Sequence, residues 1–120
     1  MEQKQPKISL NFIAGIISVV GSFLWVRQGK QVLPVFQLKM QAENKQLLEI
    51  IKARLGLPEK IYQYAHQNRH YALLLVRKRS SLEKLIIPTL KNKLYGPKQA
   101  QFNRWMDKFT KAKGDSLPSN

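Results

Sequence analysis

Residues 8–26, ISLNFIAGIISVVGSFLWV, carry no charged side chain, in a chain whose formal net charge is +14. Apolar surface of that extent leaves water only for another apolar medium. A bilayer is one such medium, because roughly 17–25 apolar residues span it as a helix. A signal-peptide core behind Lys4 and Lys7 is a second option, and burial inside a protein core is a third. Asn11, Gly15, Ser18, Gly21 and Ser22 dilute the run, and no clear small-x-small cleavage site accompanies it. These interruptions weaken the membrane and export options without removing them.

Beyond the run, the chain is patterned as mixed α and β. Segment 22–28 has strand composition, and Gln28-Gly29-Lys30 has that of a turn. In 34–41, Phe36, Leu38 and Met40 alternate with Gln37, Lys39 and Gln41, the period of a half-buried strand. Asn44 is placed to cap a helix on which Leu47, Leu48, Ile51 and Leu55 recur at helical spacing. Gly56 stands where a helix end takes positive φ. Segments 60–66 and 69–78 read as two strands meeting at Gln67-Asn68. Ser80-Ser81-Leu82-Glu83 has the form of a capping box ahead of Leu85, Ile86 and Leu90, and Pro88 limits or kinks that helix. Pro97 suits the first turn of a last helix whose Phe102, Trp105, Met106 and Phe109 share one stripe. The predicted order is helix, strand, strand, helix, strand, strand, helix, helix. It forms one domain over 8–113, between a flexible N-terminus, 1–7, and a flexible tail, 114–120.

A chain of 120 residues suits a single domain, and its 43% apolar content argues against wholesale disorder. With no Cys, disulfide scaffolds, Cys-ligated zinc and thiol nucleophiles are excluded. The seven acidic residues are Glu2, Glu43, Glu49, Glu59, Glu83, Asp107 and Asp115, so carboxylate pairs and carboxylate-held metals have little raw material. His66 and His70 flank a turn and lack a third ligand, so no metal is expected there. From Arg77 to Lys113, eleven Lys and Arg face only Glu83 and Asp107, a net of +9. A balance so one-sided points to phosphate contact rather than an ordinary solvated face.

The element order, with the string FIAGIISVVGSF at 12–23, resembles the LAGLIDADG homing endonucleases. Ile13-Ala14-Gly15-Ile16-Ile17-Ser18-Val19-Val20-Gly21 falls on the signature helix of that family and the start of its first strand. Phe36-Gln37-Leu38 is similar to its second strand, and Leu47-Leu48 through Gly56 to its following helix. Leu85 to Pro88 and Lys98, Phe102 and Trp105 resemble its closing helices. The resemblance covers about residues 8–110. It implies an α+β domain of αββαββα order, a saddle-shaped antiparallel sheet with helices on one face. It also implies that signature helices of two copies pack side by side, here through Ala14, Gly15, Ser18 and Val19, or that another protein covers helix 12–21. The uncharged run then becomes an interface helix plus a core strand, and no membrane is expected.

The same resemblance places Val20 where the family has the acid that binds the divalent cation, and Ser18 at the earlier, usually acidic position. Met40 stands where the family often has a polar residue beside the reacting water. Valine offers no oxygen to Mg²⁺. Lys98 resembles a basic residue near the cleavage centre, although a lone lysine without metal does not hydrolyse a phosphodiester, and it otherwise reads as a solvated helix lysine. From these departures the expectation is a non-enzyme with no cofactor.

In this family the outward side chains of the strands read bases. The outward set here is Leu24, Val26 and Gln28, then Gln37 and Lys39, then Tyr62 and Tyr64, while Ala72–Val76 is apolar on both faces. Such a face reads hydrogen bonds in a duplex poorly, and Tyr62 and Tyr64 suit base stacking. Phosphate contacts fall to Lys39, Arg69, Arg77, Lys78, Arg79, Lys91, Lys93, Lys98, Arg104, Lys108 and Lys111. Together these features predict a structural RNA-binding component of an organellar ribosome, mitochondrial ahead of plastid, with RNA ahead of DNA as partner. The alternatives are an intron-splicing cofactor or an inactive homodimeric DNA-binding protein.

Overall fold

A computed structural model describes the backbone of residues 8–116 and the side chains of residues 8–109. The uncharged run divides within itself. Helix α1, Leu10–Val20, is capped by the Ser9 hydroxyl, which accepts from the Phe12 N–H at 3.0 Å. Strand β1, Gly21–Gln28, follows with no loop. Glycine permits this junction, because a Cβ at residue 21 would lie 2.8 Å from the Ile17 carbonyl oxygen. Among the described residues no helix is long and apolar enough to cross a membrane.

Strand β2 is Gln31–Gln41 and pairs antiparallel with β1, closing on a turn in which Gly29 takes φ 63°. Helix α2, Lys45–Leu55, buries Leu48, Ile51 and Leu55 and ends at Gly56, whose φ of 75° is the left-handed value expected of a helix terminus. Asn44 does not cap it. A short 3₁₀ turn, Ala42–Asn44, leads into the helix, and the Asn44 side chain makes no capping hydrogen bond. Strands β3, Ile61–His66, and β4, Arg69–Val76, form a hairpin whose two turn residues, Gln67 and Asn68, both take positive φ. That is the mirror-image turn matching the strands' twist.

The predicted capping box at Ser80–Glu83 does not form either. Helix α3 begins two residues earlier, with Lys78 rather than Ser80 at its N-cap, and runs over 79–90 in three pieces: Arg79–Ser81, a π-helical Leu82–Ile86, and Ile87–Leu90. The Glu83 carboxylate lies 3.3 Å from Arg79, one turn back, instead of reaching the backbone at Ser80. Pro88 offers no N–H to the Lys84 carbonyl, and its ring crowds that turn, so the widened π segment stands where α-helical geometry would clash. Helix α4, Pro97–Ser116, begins at the expected proline. The side chain of Lys111, the expected N-terminal segment 1–7 and residues 117–120 lie outside the described residues.

The four strands make one antiparallel sheet in the order β1-β2-β4-β3. One face carries Phe23, Phe36, Leu38, Ala72, Leu74 and Val76, all buried against Ile13 and Ile17 of α1, Ile51 of α2, Ile86 and Leu90 of α3, and Phe102 and Trp105 of α4. An aromatic seam locks α4 to β1. Phe23 meets Phe102 edge-on at 5.0 Å, and the Trp105 indole donates to the Leu24 carbonyl at 2.9 Å. All helices are thus spent on this face, and among the described residues no layer covers the other face of the sheet.

Candidate nucleic-acid interface

Strand alternation settles what the uncovered face presents. With Phe23, Phe36, Leu74 and Ile61 turned to the core, β1 turns out Ser22, Leu24, Val26 and Gln28, and β3 turns out Tyr62, Tyr64 and His66. From β2 come Leu33, Val35, Gln37, Lys39 and Gln41, and from β4 Arg69, Tyr71, Leu73 and Leu75. The expected outward set of Leu24, Val26, Gln28, Gln37, Lys39, Tyr62 and Tyr64 therefore lies on this face, and no carboxylate belongs to the outward strand positions.

Near the α1 end the face is polar and aromatic. Tyr64 stacks on Tyr71 at 5.4 Å, and the Lys39 ammonium stands 4.4 Å from the centre of the Tyr71 ring. Tyr64 is thus already stacked on a neighbour, whereas Tyr62 is 57% exposed. Tyr71 was missed at the sequence level, although the two-residue turn at 67–68 fixes the pairing Tyr64↔Tyr71. Away from α1, Arg77 and Lys78 line a cleft with Pro58, Tyr62 and Leu75. Glu59 enters the same cleft with both carboxylate oxygens shielded from solvent and no hydrogen-bond partner.

The cations predicted to meet phosphate separate into two groups. Lys39, Arg69, Arg77 and Lys78 belong to the sheet or its ends. Arg79, Lys91, Lys93, Lys98, Arg104 and Lys108 belong to the helical layer behind it. Arg79 is engaged within the fold, its guanidinium 4.6 Å from the Phe109 ring and beside Glu83. Lys108 stands 5.1 Å over the Trp25 ring. Lys98 is no solvated lysine: it is half-buried, and its ammonium donates to the Gly21 carbonyl at the end of α1. His66 and His70 sit on the two strands of one hairpin with their side chains on opposite faces of the sheet.

The end of α1 shows which residues stand at the signature positions. Ser18 Oγ donates to the Ala14 carbonyl at 2.7 Å and accepts from the Tyr95 N–H at 2.9 Å, tying the approach to α4 onto α1. Val20 shares a shallow cleft with Ile16, Met40 and Leu47, bordered by Lys39, Gln41 and Tyr71. No carboxylate stands among these residues, and the side-chain oxygens left for a divalent cation are the carboxamides of Gln41 and Asn44 in the same cleft. Val20 and Met40 are hydrocarbon and thioether, the Ser18 hydroxyl is committed twice, and the Gly21 carbonyl already accepts from an ammonium. Of the four residues expected at the helix interface, Ala14 is buried beneath its own helix, while Val19 is 80% exposed and Gly15 has open space where a Cβ would stand. Phe12, 51% exposed on the same side as Gly15 and Val19, joins that surface.

Residues 13–109 match the family model described as LAGLIDADG endonuclease. The fold is similar to that of the I-LtrWI LAGLIDADG homing endonuclease bound to target DNA, with 27% identity and a TM-score of 0.77. That match covers 88% of this chain and 38% of the other. A second similar structure, the LAGLIDADG homing endonuclease I-GzeII in complex with DNA target, shares 22% identity with a TM-score of 0.80, over 96% of this chain and 40% of that one. The homing endonuclease I-TnaI shares 22% identity with a TM-score of 0.69, over 85% of this chain and 71% of that one. No curated protein matches the chain. This chain therefore spans about two fifths of the length of the first two structures it matches.

These likenesses correct two expectations. A non-enzyme was expected from Val20, but the matching model and the similar structures are of endonucleases. Val20 removes one carboxylate from one helix and does not by itself decide activity. RNA was placed ahead of DNA because the sheet face is short of hydrogen-bonding groups, but the similar structures hold DNA. The chain belongs to the LAGLIDADG endonuclease family.

Proposed function

We propose that this chain binds duplex DNA across the uncovered face of its sheet, as one half of a homing-endonuclease-type assembly closed through α1. The observation that carries this is the one-sided layering. Every helix packs on one face, and the other is left open with Lys39 and Arg69 on its strands and Arg77 and Lys78 at its margin. Cations on strand positions that carry no carboxylate suit a phosphate backbone, and a two-stranded ribbon fits the width of the major groove. The relatives bound to DNA support the same partner for this chain.

Pairing through α1 is supported by the exposed Phe12 and Val19 on either side of Gly15, a helix face without a partner in a single copy. The other half is a second copy or a longer relative. Strand cleavage by such an assembly takes its metal-binding carboxylate from outside this chain's α1, since residue 20 is valine.

Selection of the full chain against a randomised duplex pool at 100 mM salt tests the proposal. The expected result is enrichment of one site with two related halves. Failure to enrich any duplex, with retention of a single-stranded RNA pool instead, overturns it. The enriched duplex incubated with Mg²⁺ then reads cleavage directly. Products from this chain alone show that oxygens other than residue 20 hold the cation.

A further inference from the structure

We infer that the part of the uncovered face farther from α1 recognises thymine through its 5-methyl group in the major groove. This rests on the DNA-binding proposal above and extends it to base identity. Leu24 and Val26 of β1 and Leu75 of β4 turn outward there beside Val35 of β2, which is only 3% exposed, and Leu73 of β4 and Tyr62 of β3 extend the apolar surface toward the β3 edge. The pairing places Leu24 opposite Val35 and Tyr62 opposite Leu73, with Leu75 between the two pairs, so these side chains form a diagonal band bordered by Gln37, opposite Leu75, and Lys39, opposite Leu73. Leu24 is 38% and Val26 41% exposed, on the side of the sheet that the core does not use.

An apolar floor by itself has many possible covers. Its margin selects among them. Arg77 lines clefts with Val26 and Val35 on one side and with Tyr62 and Leu75 on the other, and in the second Lys78 joins it with Glu59, so two cations face one carboxylate there. Cations at the edge with hydrocarbon between them match a duplex groove, whose phosphates stand at the rims and whose bases form the floor. Among the bases, only thymine presents a methyl group to the major groove, beside its O4 acceptor. Donors and acceptors left facing Leu24 or Leu73 would be stripped of water without a partner. Thymine is the base whose methyl group gives this floor a hydrocarbon partner, with its O4 and the polar edge of the paired adenine left to water or to the rim cations. The polar end, with Gln37, Lys39, Gln41 and Tyr71, is free to read other bases by hydrogen bonds. Each half-site is therefore divided, with mixed sequence near the α1 axis and thymine-rich sequence outside it.

The test replaces thymine by deoxyuridine, which removes the methyl group and nothing else. Affinity of the full chain is measured by fluorescence anisotropy on the enriched duplex, with uracil placed in the inner or the outer block of each half. The expected loss is about fourfold for each methyl removed from the outer block, the scale of one buried carbon. Uracil in the inner block changes affinity less than twofold. Leu24→Gln, at a position already exposed, keeps the fold and loses the thymine–uracil difference, and Leu75→Gln repeats the result at a second site. Equal affinity for thymine and uracil duplexes overturns the inference and leaves the floor to a protein partner. Absence of binding to any duplex overturns the DNA-binding proposal itself, so the two failures are distinguishable.

Discussion

A methyl group added at Gly21 would stand 2.7 Å from Ile17 Cγ2 and 2.8 Å from the Ile17 carbonyl oxygen. The side chain of Ile17 is fully buried, so neither atom has room to retreat. Gly21→Ala is expected to destabilise the fold by about 1–3 kcal/mol, the usual cost of overpacking, measured as a fall in the urea midpoint at unchanged slope. Ser18 illustrates a different residue-scale economy. Its single hydroxyl serves as donor to Ala14 and as acceptor for Tyr95, a residue 77 positions away. Ser18→Ala leaves the Tyr95 N–H without that acceptor, and about 1 kcal/mol of stability goes with it. Neither role was legible in the sequence. A hydroxyl at a usually acidic position signals only that the acid is gone, and contacts across 77 residues leave no local pattern. The lysine at 98, read as solvated, is the same case: its partner is the Gly21 carbonyl, equally remote in the chain.

At the scale of the element, what was legible was what periodicity governs. The alternation in 34–41 gave β2 its two faces, and the stripe of Phe102, Trp105 and Phe109 gave α4 its buried side. The caps were not legible, because a capping pattern states a possibility that a stronger neighbour can pre-empt. Glu83 meets Arg79 one turn back, and the 3₁₀ turn before α2 holds Asn44 at the N-cap position in a non-extended backbone (φ −97°, ψ 13°) from which its side chain makes no capping bond. The hairpin turn shows a further mismatch between residue and backbone. Gln67 takes φ 51° and Asn68 φ 63°, values that asparagine and glycine adopt more readily than glutamine. Replacing the pair by Asn-Gly is expected to raise stability by about 0.5–1 kcal/mol and the melting temperature with it, with the register of β3 and β4 unchanged. In α1, Gly15 is a mid-helix glycine with nothing near its Cβ position. Gly15→Ala is therefore expected to stabilise the single chain by about 0.5–1 kcal/mol. The added methyl also holds a second helix farther away, so analytical ultracentrifugation is expected to show weaker self-association or weaker pairing with a longer relative.

At the scale of the whole molecule, the net charge of +14 is distributed over two layers with different roles. Lys39, Arg69, Arg77 and Lys78 are positioned to meet phosphate, while Arg79, Lys98 and Lys108 are partly occupied inside the fold. For four phosphate contacts, the logarithm of the DNA association constant is expected to fall with the logarithm of salt with a slope of about −4, and Lys78→Ala reduces that slope by about 1. A slope near −10 would instead assign the helical layer to the same duplex. Counting charge along the chain could not make this division. Eleven cations between Arg77 and Lys113 form one cluster in sequence, and only the layering shows that most of them lie behind the sheet.

The seam between α4 and β1 also has an optical consequence. The chain has two tryptophans, Trp25 and Trp105, and both lie in this seam with their rings 6.5 Å apart. Their intrinsic fluorescence therefore reports one event, the docking of the last helix on the edge strand. Trp105 gives up a hydrogen bond to Leu24 when the helix leaves, and Trp25 gives up the cation over its ring. Both rings then enter water together, and the emission moves to the red. Because the tryptophans face away from the uncovered side of the sheet, a ligand on that side can be titrated against a quiet background. Any shift it causes means that the far layer has loosened, which gives this small domain a built-in gauge of its own integrity while it is at work.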